Sequence, residues 1–303
     1  MQNDIECPFH ELRSAQKIGL IAQLLQIQEY KLDNDKRIDW YRGSTYLTSD
    51  YDVNGLKEAA GTPDQQTYNS QTVLERTQGG DQAALNSVLS VSYTWTTSKF
   101  EDQNGVDFHI FERARSGLKK SKVRSSVITR VLRYVSSCEL PGFWIDGDCI
   151  NQEDTSEKQI AMQSMDLIYR FGDHPVAFLT SPIRTARDIT LLAELMSDKW
   201  IWQDGPISRI KFKRYVRVWN AQAMISLLEH ILSDLWWTRA WTYHEEYCAS
   251  VKMYLLIPHY PHVVKSQKHP FGDVPGEVKV HAVSFREQVI RFCLAHIRKT
   301  GER

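Results

Sequence analysis

The sequence predicts an α/β domain, doubly wound around a mostly parallel sheet, with helical elaborations. Three observations predict it. Apolar, strand-like runs at 88–95, 143–146, 176–180 and 252–257 alternate with stretches of helical periodicity, the pattern of successive βαβ units. The segment Phe143-Trp144-Ile145-Asp146-Gly147-Asp148-Cys149-Ile150-Asn151-Gln152 passes abruptly from apolar residues to carboxylates, a thiol and amides. A buried parallel strand reads that way where it emerges at its carboxyl end, the edge where such sheets bind ligands. Finally, 303 residues with 42% hydrophobic content can bury a core of ordinary size, enough for one large domain with elaborations or a smaller flank.

The elements follow in order. Ile18, Leu20, Ile21, Leu24, Leu25 and Ile27 give residues 11–30 an apolar helical face, whereas 32–81 are polar and turn-rich and predict irregular chain. Large residues at 89, 91, 93 and 95 alternate with small ones over 88–95, which suits a strand. A polar excursion over 96–121 holds a short strand candidate at 106–111. Val123, Val127, Ile128, Val131, Leu132 and Val135 space a buried helix face, which Pro141-Gly142 ends before the strand at 143–146. Ser156 and Gln159 predict a capping box for a helix carrying Ala161, Met165, Ile168 and Tyr169. A strand at 176–180 comes next, then helices over 186–199, 217–232 and 240–249, and strands at 252–257 and 278–283. Ser284 and Glu287 cap a last helix with Phe285, Val289, Phe292 and Ile297. The predicted organisation is a preface over 1–84, a core over 85–258 and an extension over 259–303. No internal repeat is visible.

Lysines plus arginines and aspartates plus glutamates each number 37, so the net charge is zero. No global field draws this chain to nucleic acid or an anionic membrane. The basic run from Arg113 to Arg124 reads as a solvated loop leading into a helix rather than a phosphate-binding patch. Five scattered cysteines without CxxC spacing fit reduced thiols better than a disulfide framework. The acidic amino terminus has no apolar signal core, and no apolar stretch is long enough to span a bilayer. The expectation is a cytoplasmic protein with no membrane span.

Three polar blocks stand out: 90–95, 144–152 and 236–246. Two lie at predicted strand ends and one opens a helix, so all three can share one rim of the sheet. Trp241 and Glu245 are four apart on one helical face. A carboxylate beside an indole on an apolar wall has a raised pKa suited to chemistry, or Glu245 pairs with Arg239 in a structural network; both readings stay open. His244, Glu245 and Cys248 approach the HExxH zinc pattern but lack a third ligand at recognisable spacing, so no metal is assigned. His259 and His262 lie among prolines and carry less. Cys149 is a nucleophile or, more commonly, a small apolar residue packed at a strand end. GxGxxG, GxxxxGK[ST] and GxSxG are all absent, which removes the main support for triphosphatase, dehydrogenase and α/β-hydrolase readings.

Taken in order, the blocks resemble the fungal heterokaryon incompatibility (HET) domain. Ser90-Val91-Ser92-Tyr93-Thr94-Trp95 is similar to its LSYxW block and Trp144-Ile145-Asp146-x-x-Cys149-Ile150-Asn151-Gln152 to its WIDxxCINQ block. Met162 to Tyr169 match a helical block ending in IY, and Arg239-x-Trp241-Thr242-x-x-Glu245 matches RxWTxQE. The likeness covers about 85–250. It departs at His244, where the family usually has Gln, and at Thr96, where many members have Gly. The resemblance implies fungal non-self recognition and regulated cell death. The family is in turn remotely similar to TIR domains, whose sheet is flavodoxin-like and some of which cleave NAD through a glutamate four residues after a tryptophan. By that likeness Glu245 is the catalytic candidate. Ser92, Tyr93, Trp95, Asp146, Cys149, Asn151, Gln152, Arg239 and Trp241 surround the ligand, with NAD as substrate and no cofactor required. The alternative is a non-catalytic module that signals death by self-association or by docking another incompatibility protein.

Overall fold

In a computed structural model of the chain, the described residues are 34–49, 72–78, 82–101, 105–112, 117–203, 210–214, 216, 218–265 and 271–301. The helix expected over 11–30, Cys7 and the start of the basic run lie outside them. Among the described residues, nine strands form one sheet. Its centre is four parallel strands, β3 (Leu89–Ser92), β6 (Phe143–Trp144), β7 (His174–Phe178) and β10 (Tyr254–Pro258), in spatial order β6-β3-β7-β10. The second strand in the chain lies on one side of the first and the third on the other, as in flavodoxin-like sheets. Strand order therefore reverses beside β3, the position at the carboxyl ends where sheets of this kind place their ligands.

Antiparallel strands widen the sheet on both sides. β11 (Glu277–His281) pairs with β10. Beyond β6 lie β1 (Thr45–Thr48), β2 (Val73–Gln78), β4 (His109–Glu112) and β5 (Gly117–Lys120). β1 runs antiparallel to both its neighbours, β2 and β4 are parallel, and β4 and β5 form a hairpin. Two strands thus arise where composition predicts irregular chain: Leu47, Val73 and Leu74 are single buried apolar residues in polar surroundings. Their pattern is too short to register as periodicity, and pairing of β1 with β6 and of β2 with β1 and β4 supplies what local sequence does not. A separate two-residue hairpin joins β8 (Ile201–Trp202) and β9 (Lys211–Phe212).

Helices cover the sheet: α1 (Asn34–Gly43), α2 (Gln82–Ser87), α3 (Ser125–Ser137), α4 (Asp146–Cys149), α5 (Thr155–Ser164), α6 (Asp166–Phe171), α7 (Ala186–Met196), α8 (Val218–Leu232), α9 (Ala240–Ala249) and α10 (Ala282–Gly301). α3 buries Val127, Ile128, Val131, Tyr134 and Val135, the face its spacing predicts; each such side chain contributes roughly 1.5–3 kcal/mol.

Several predicted boundaries shift for local reasons. The strand expected over 88–95 ends at Ser92, and the one expected to reach Asp146 ends at Trp144 because Asp146 opens α4. The strand candidate at 106–111 forms only from His109. Asp154, rather than Ser156, caps α5, accepting from the Ser156 and Glu157 amides at 2.8 and 3.0 Å. The expected helix then breaks at Met165 into α5 and α6. Ser284 is no cap either, since α10 begins at Ala282. No described helix is long and apolar enough to cross a membrane.

Candidate functional site

The chain leaves β3 at Ser92, on the rim where strand order reverses. The Trp236 indole donates to Ser92 Oγ at 2.8 Å, and Ser92 Oγ donates to Glu245 Oε2 at 2.5 Å. An indole nitrogen can only donate, so the serine oxygen accepts from it and the serine proton is left for the carboxyl. The 3-10 turn Leu235–Thr238 and the first turn of α9 fix this geometry. Asp234 caps the turn through the Trp236 amide at 2.9 Å. Its other oxygen accepts from the Thr180 amide, the Thr180 hydroxyl and the Ser181 amide at 2.7, 2.9 and 2.6 Å, just beyond β7. Thr242 Oγ1 donates back to the Trp236 and Arg239 carbonyls. The block 236–246 is thereby bolted to the ends of β3 and β7.

Glu245 is 7% exposed, and burial lifts its pKa to about 8. The Asp146 charge adds to the rise, while the Ser92 bond and the Arg239 charge oppose it. Tyr169 also hydrogen-bonds Glu245, and its hydroxyl donates to the Val91 carbonyl at 3.0 Å. The Tyr169 interaction opposes the rise in the Glu245 pKa.

Asp146 opens α4 across the rim. It accepts from the Trp95 indole at 3.0 Å and from the Gly147 amide at 2.6 Å, and burial raises its pKa as well. A side chain at Gly147 would stand 2.8 Å from the Tyr93 hydroxyl and 2.9 Å from Val123, so only glycine lets α4 lie beneath Tyr93. Desolvation holds the Tyr93 phenol well above the usual range. Trp95 is 49% exposed and is the open aromatic of the rim.

The three sequence blocks therefore meet, with some partners other than those expected. Arg239 does not pair with Glu245; its guanidinium donates to the Tyr93 carbonyl at 2.9 Å. Trp241 sits half-buried one turn before Glu245, but the indole in the hydrogen-bond chain is that of Trp236. Cys149 is buried, burial pushes its thiol up to about 12, and its sulfur accepts from the Ile145 amide at 3.4 Å. It is a packing cysteine rather than a nucleophile. Gln152 donates to the Asp146 carbonyl at 3.0 Å, and Asn151 accepts from the Glu153 amide at 3.2 Å. Both order the loop after α4 and line a separate cleft on the Asp148 side. His244 approaches Cys248 at 3.6 Å. No group of three His, Cys, Asp or Glu side chains among the described residues could hold a metal ion.

Sequence reasoning passed over Trp236, Tyr169, Asp234 and Arg124. Trp236 and Tyr169 stood inside singled-out blocks, where an aromatic at helical spacing is indistinguishable from core. Arg124 ends the basic run and donates to the Thr94 and Trp95 carbonyls at 2.7 and 2.6 Å, pinning the exit of β3. Among the predicted site residues only Asn151 and Gln152 line any of the cavities of about 740, 580 and 510 Å³, both in the first; Glu245 borders none of them.

Against known proteins, one family model, described as heterokaryon incompatibility protein (HET), matches residues 89–245. No curated protein matches the chain, and no solved structure matches it.

Proposed function

Because that match spans over half of the chain, the protein belongs to the heterokaryon incompatibility family, and from this premise we propose that it acts in fungal non-self recognition and triggers cell death by hydrolysing NAD. The supporting observation is the buried Glu245 carboxyl, set at the strand-order reversal in hydrogen bonds from neutral partners rather than in an ion pair. A desolvated acid at such a switch point marks a functional-site candidate.

The bond cleaved is that between C1′ of the ribose and the pyridinium nitrogen. Its electron pair leaves with nicotinamide, water adds to C1′, and ADP-ribose and a proton are released. Nicotinamide departs as a neutral base, so no strong acid is needed. The demand is for negative charge beside the oxocarbenium-like ribose. Glu245 supplies it once ionised, and the cationic nicotinamide ring favours ionisation as it approaches. Ser92 keeps the carboxylate aimed, and Trp95 or Trp241 stacks on a ring of the substrate. At 7% exposure Glu245 is shielded, so turnover requires the rim around it to open.

The test is release of free nicotinamide from NAD by the purified chain at high protein concentration. Wild type releases it and Glu245→Gln does not; equal consumption by both would rule out the assigned role. A second reading has its own observation. Tyr243 and Tyr247 on the outer face of α9, and Val251 in the turn that follows it, stand exposed and line the apolar cleft of about 580 Å³. In that reading the face assembles and death is signalled without chemistry. Sedimentation of a Tyr247→Lys variant that keeps full NAD cleavage separates the two.

A further inference from the structure

The cleft of about 740 Å³ takes no part in this chemistry. It lies where the outer strands β1, β2, β4 and β5 meet the loop after α4, and its size suits a ligand of nucleotide dimensions. Lys119 and Lys122 line it, and both ammonium groups reach one oxygen, Glu153 Oε1, at 3.3 Å each. The Glu153 side chain is 71% exposed, and such surface pairs contribute only about 0–1 kcal/mol. Two lysines converging on a single oxygen beside a cleft define an anion position, filled here by a solvated glutamate.

The floor is polar as well. Arg76 pairs with Glu112 at 2.8 Å and donates to the Asp148 carbonyl, while its Nε is buried with no hydrogen-bond partner. Asn151 and Gln152 place side-chain amides in the wall. The second half of the basic run, which composition assigns to a solvated loop, is instead β5 and its exit, and it presents cations to a concave surface.

We propose that this cleft binds a phosphate-bearing small molecule, whose phosphate displaces Glu153 from between Lys119 and Lys122. A phosphate brings more charge and more acceptor oxygens than one carboxylate, so it competes well for both ammonium groups. The ligand would rest against the same loop that Gln152 ties to Asp146, next to the rim but apart from Glu245. The proposal does not depend on NAD cleavage.

Calorimetric titration of the whole chain at low salt, with pyrophosphate and with ADP, tests it. Pyrophosphate is expected to bind with a Kd below about 1 mM. The pair Lys119→Gln and Lys122→Gln weakens it about tenfold or more, and Glu153→Gln tightens it about two- to fivefold. Glu245→Gln leaves it unchanged. Tighter binding of ADP than of pyrophosphate assigns a nucleotide; ADP binding no tighter assigns the phosphate alone. Absence of binding by both probes, indifference to the lysine pair, weakening by Glu153→Gln, or loss in Glu245→Gln would each overturn the proposal.

Discussion

Glu245 and Glu246 are neighbours on α9, yet the two faces of that helix give them opposite lives. Glu245 turns inward to a serine and an indole, without an ion pair, and is lifted to about 8. Glu246 turns toward α10, where Arg286 bonds it; burial raises its pKa too, and the Arg286 charge opposes the rise. Around Glu246 lie exposed Tyr243 and Tyr247, the latter 74% exposed. Nearly equal burial one residue apart thus leaves one carboxyl without an ion pair and the other paired with a guanidinium. What differs is the partner: a guanidinium opposes the cost of desolvation directly, whereas neutral hydroxyls oppose it less.

The largest effect that would sharpen this contrast is catalytic. Glu245→Gln is expected to lower nicotinamide release by about a hundredfold or more, whereas Glu246→Gln leaves it within about twofold. If Glu246→Gln proves the damaging change, the inner face is not the working one.

Next comes the pH dependence of stability. The folded pKa of Glu245, about 8, lies above its usual 4.5, so its contribution is fully present below pH 4.5 and is lost as pH rises through 8. Glu245→Gln removes that loss. At pH 9 the variant should match or exceed wild type in chemical denaturation, by on the order of 5 kcal/mol at most, with little advantage at pH 4. A wild-type stability no more sensitive than the variant's over this range would mean that Glu245 is ionised in the fold.

Asp234→Ala strips one carboxylate from four donors, three of them backbone amides, and should cost about 3 kcal/mol in urea denaturation. Ser92→Ala leaves the Trp236 indole and Glu245 without their shared partner and should cost about 1–3 kcal/mol. Smallest is Arg286→Ala on the outer face, at about 1 kcal/mol or less, because Arg286 is over a third exposed. An Arg286→Ala cost exceeding that of Ser92→Ala would reverse the ranking of the two faces.

The central sheet was legible because buried parallel strands are continuous apolar runs, and the 236–246 block because indoles, an arginine and two carboxylates crowd one short stretch. β1 and β2 were not legible: each owes its conformation to a strand distant in sequence, and nothing local marks Thr45 or Val73. The convergence of Ser92 with Glu245 followed from topology alone. Their partners did not, since spacing placed Trp241 beside Glu245 while the fold inserted Trp236. Arginine roles were hidden too, because a long side chain can travel to any carbonyl within reach. Arg124 and Arg239 both fasten β3, and neither position announces it.

Arg130, on α3, offers a last lesson. It holds Glu277 in two bonds at 2.6 and 2.8 Å and also reaches the Leu179 and Leu256 carbonyls. Glu277 opens β11, well past residue 245 where the family match stops. A polypeptide trimmed to that match would leave the Arg130 guanidinium with the Leu179 carbonyl but without Glu277 or the Leu256 carbonyl, and would forfeit β1, β2, β10 and β11. Expressed by itself, such a piece should aggregate, so the smallest autonomous folding unit is wider than the homology that identifies it.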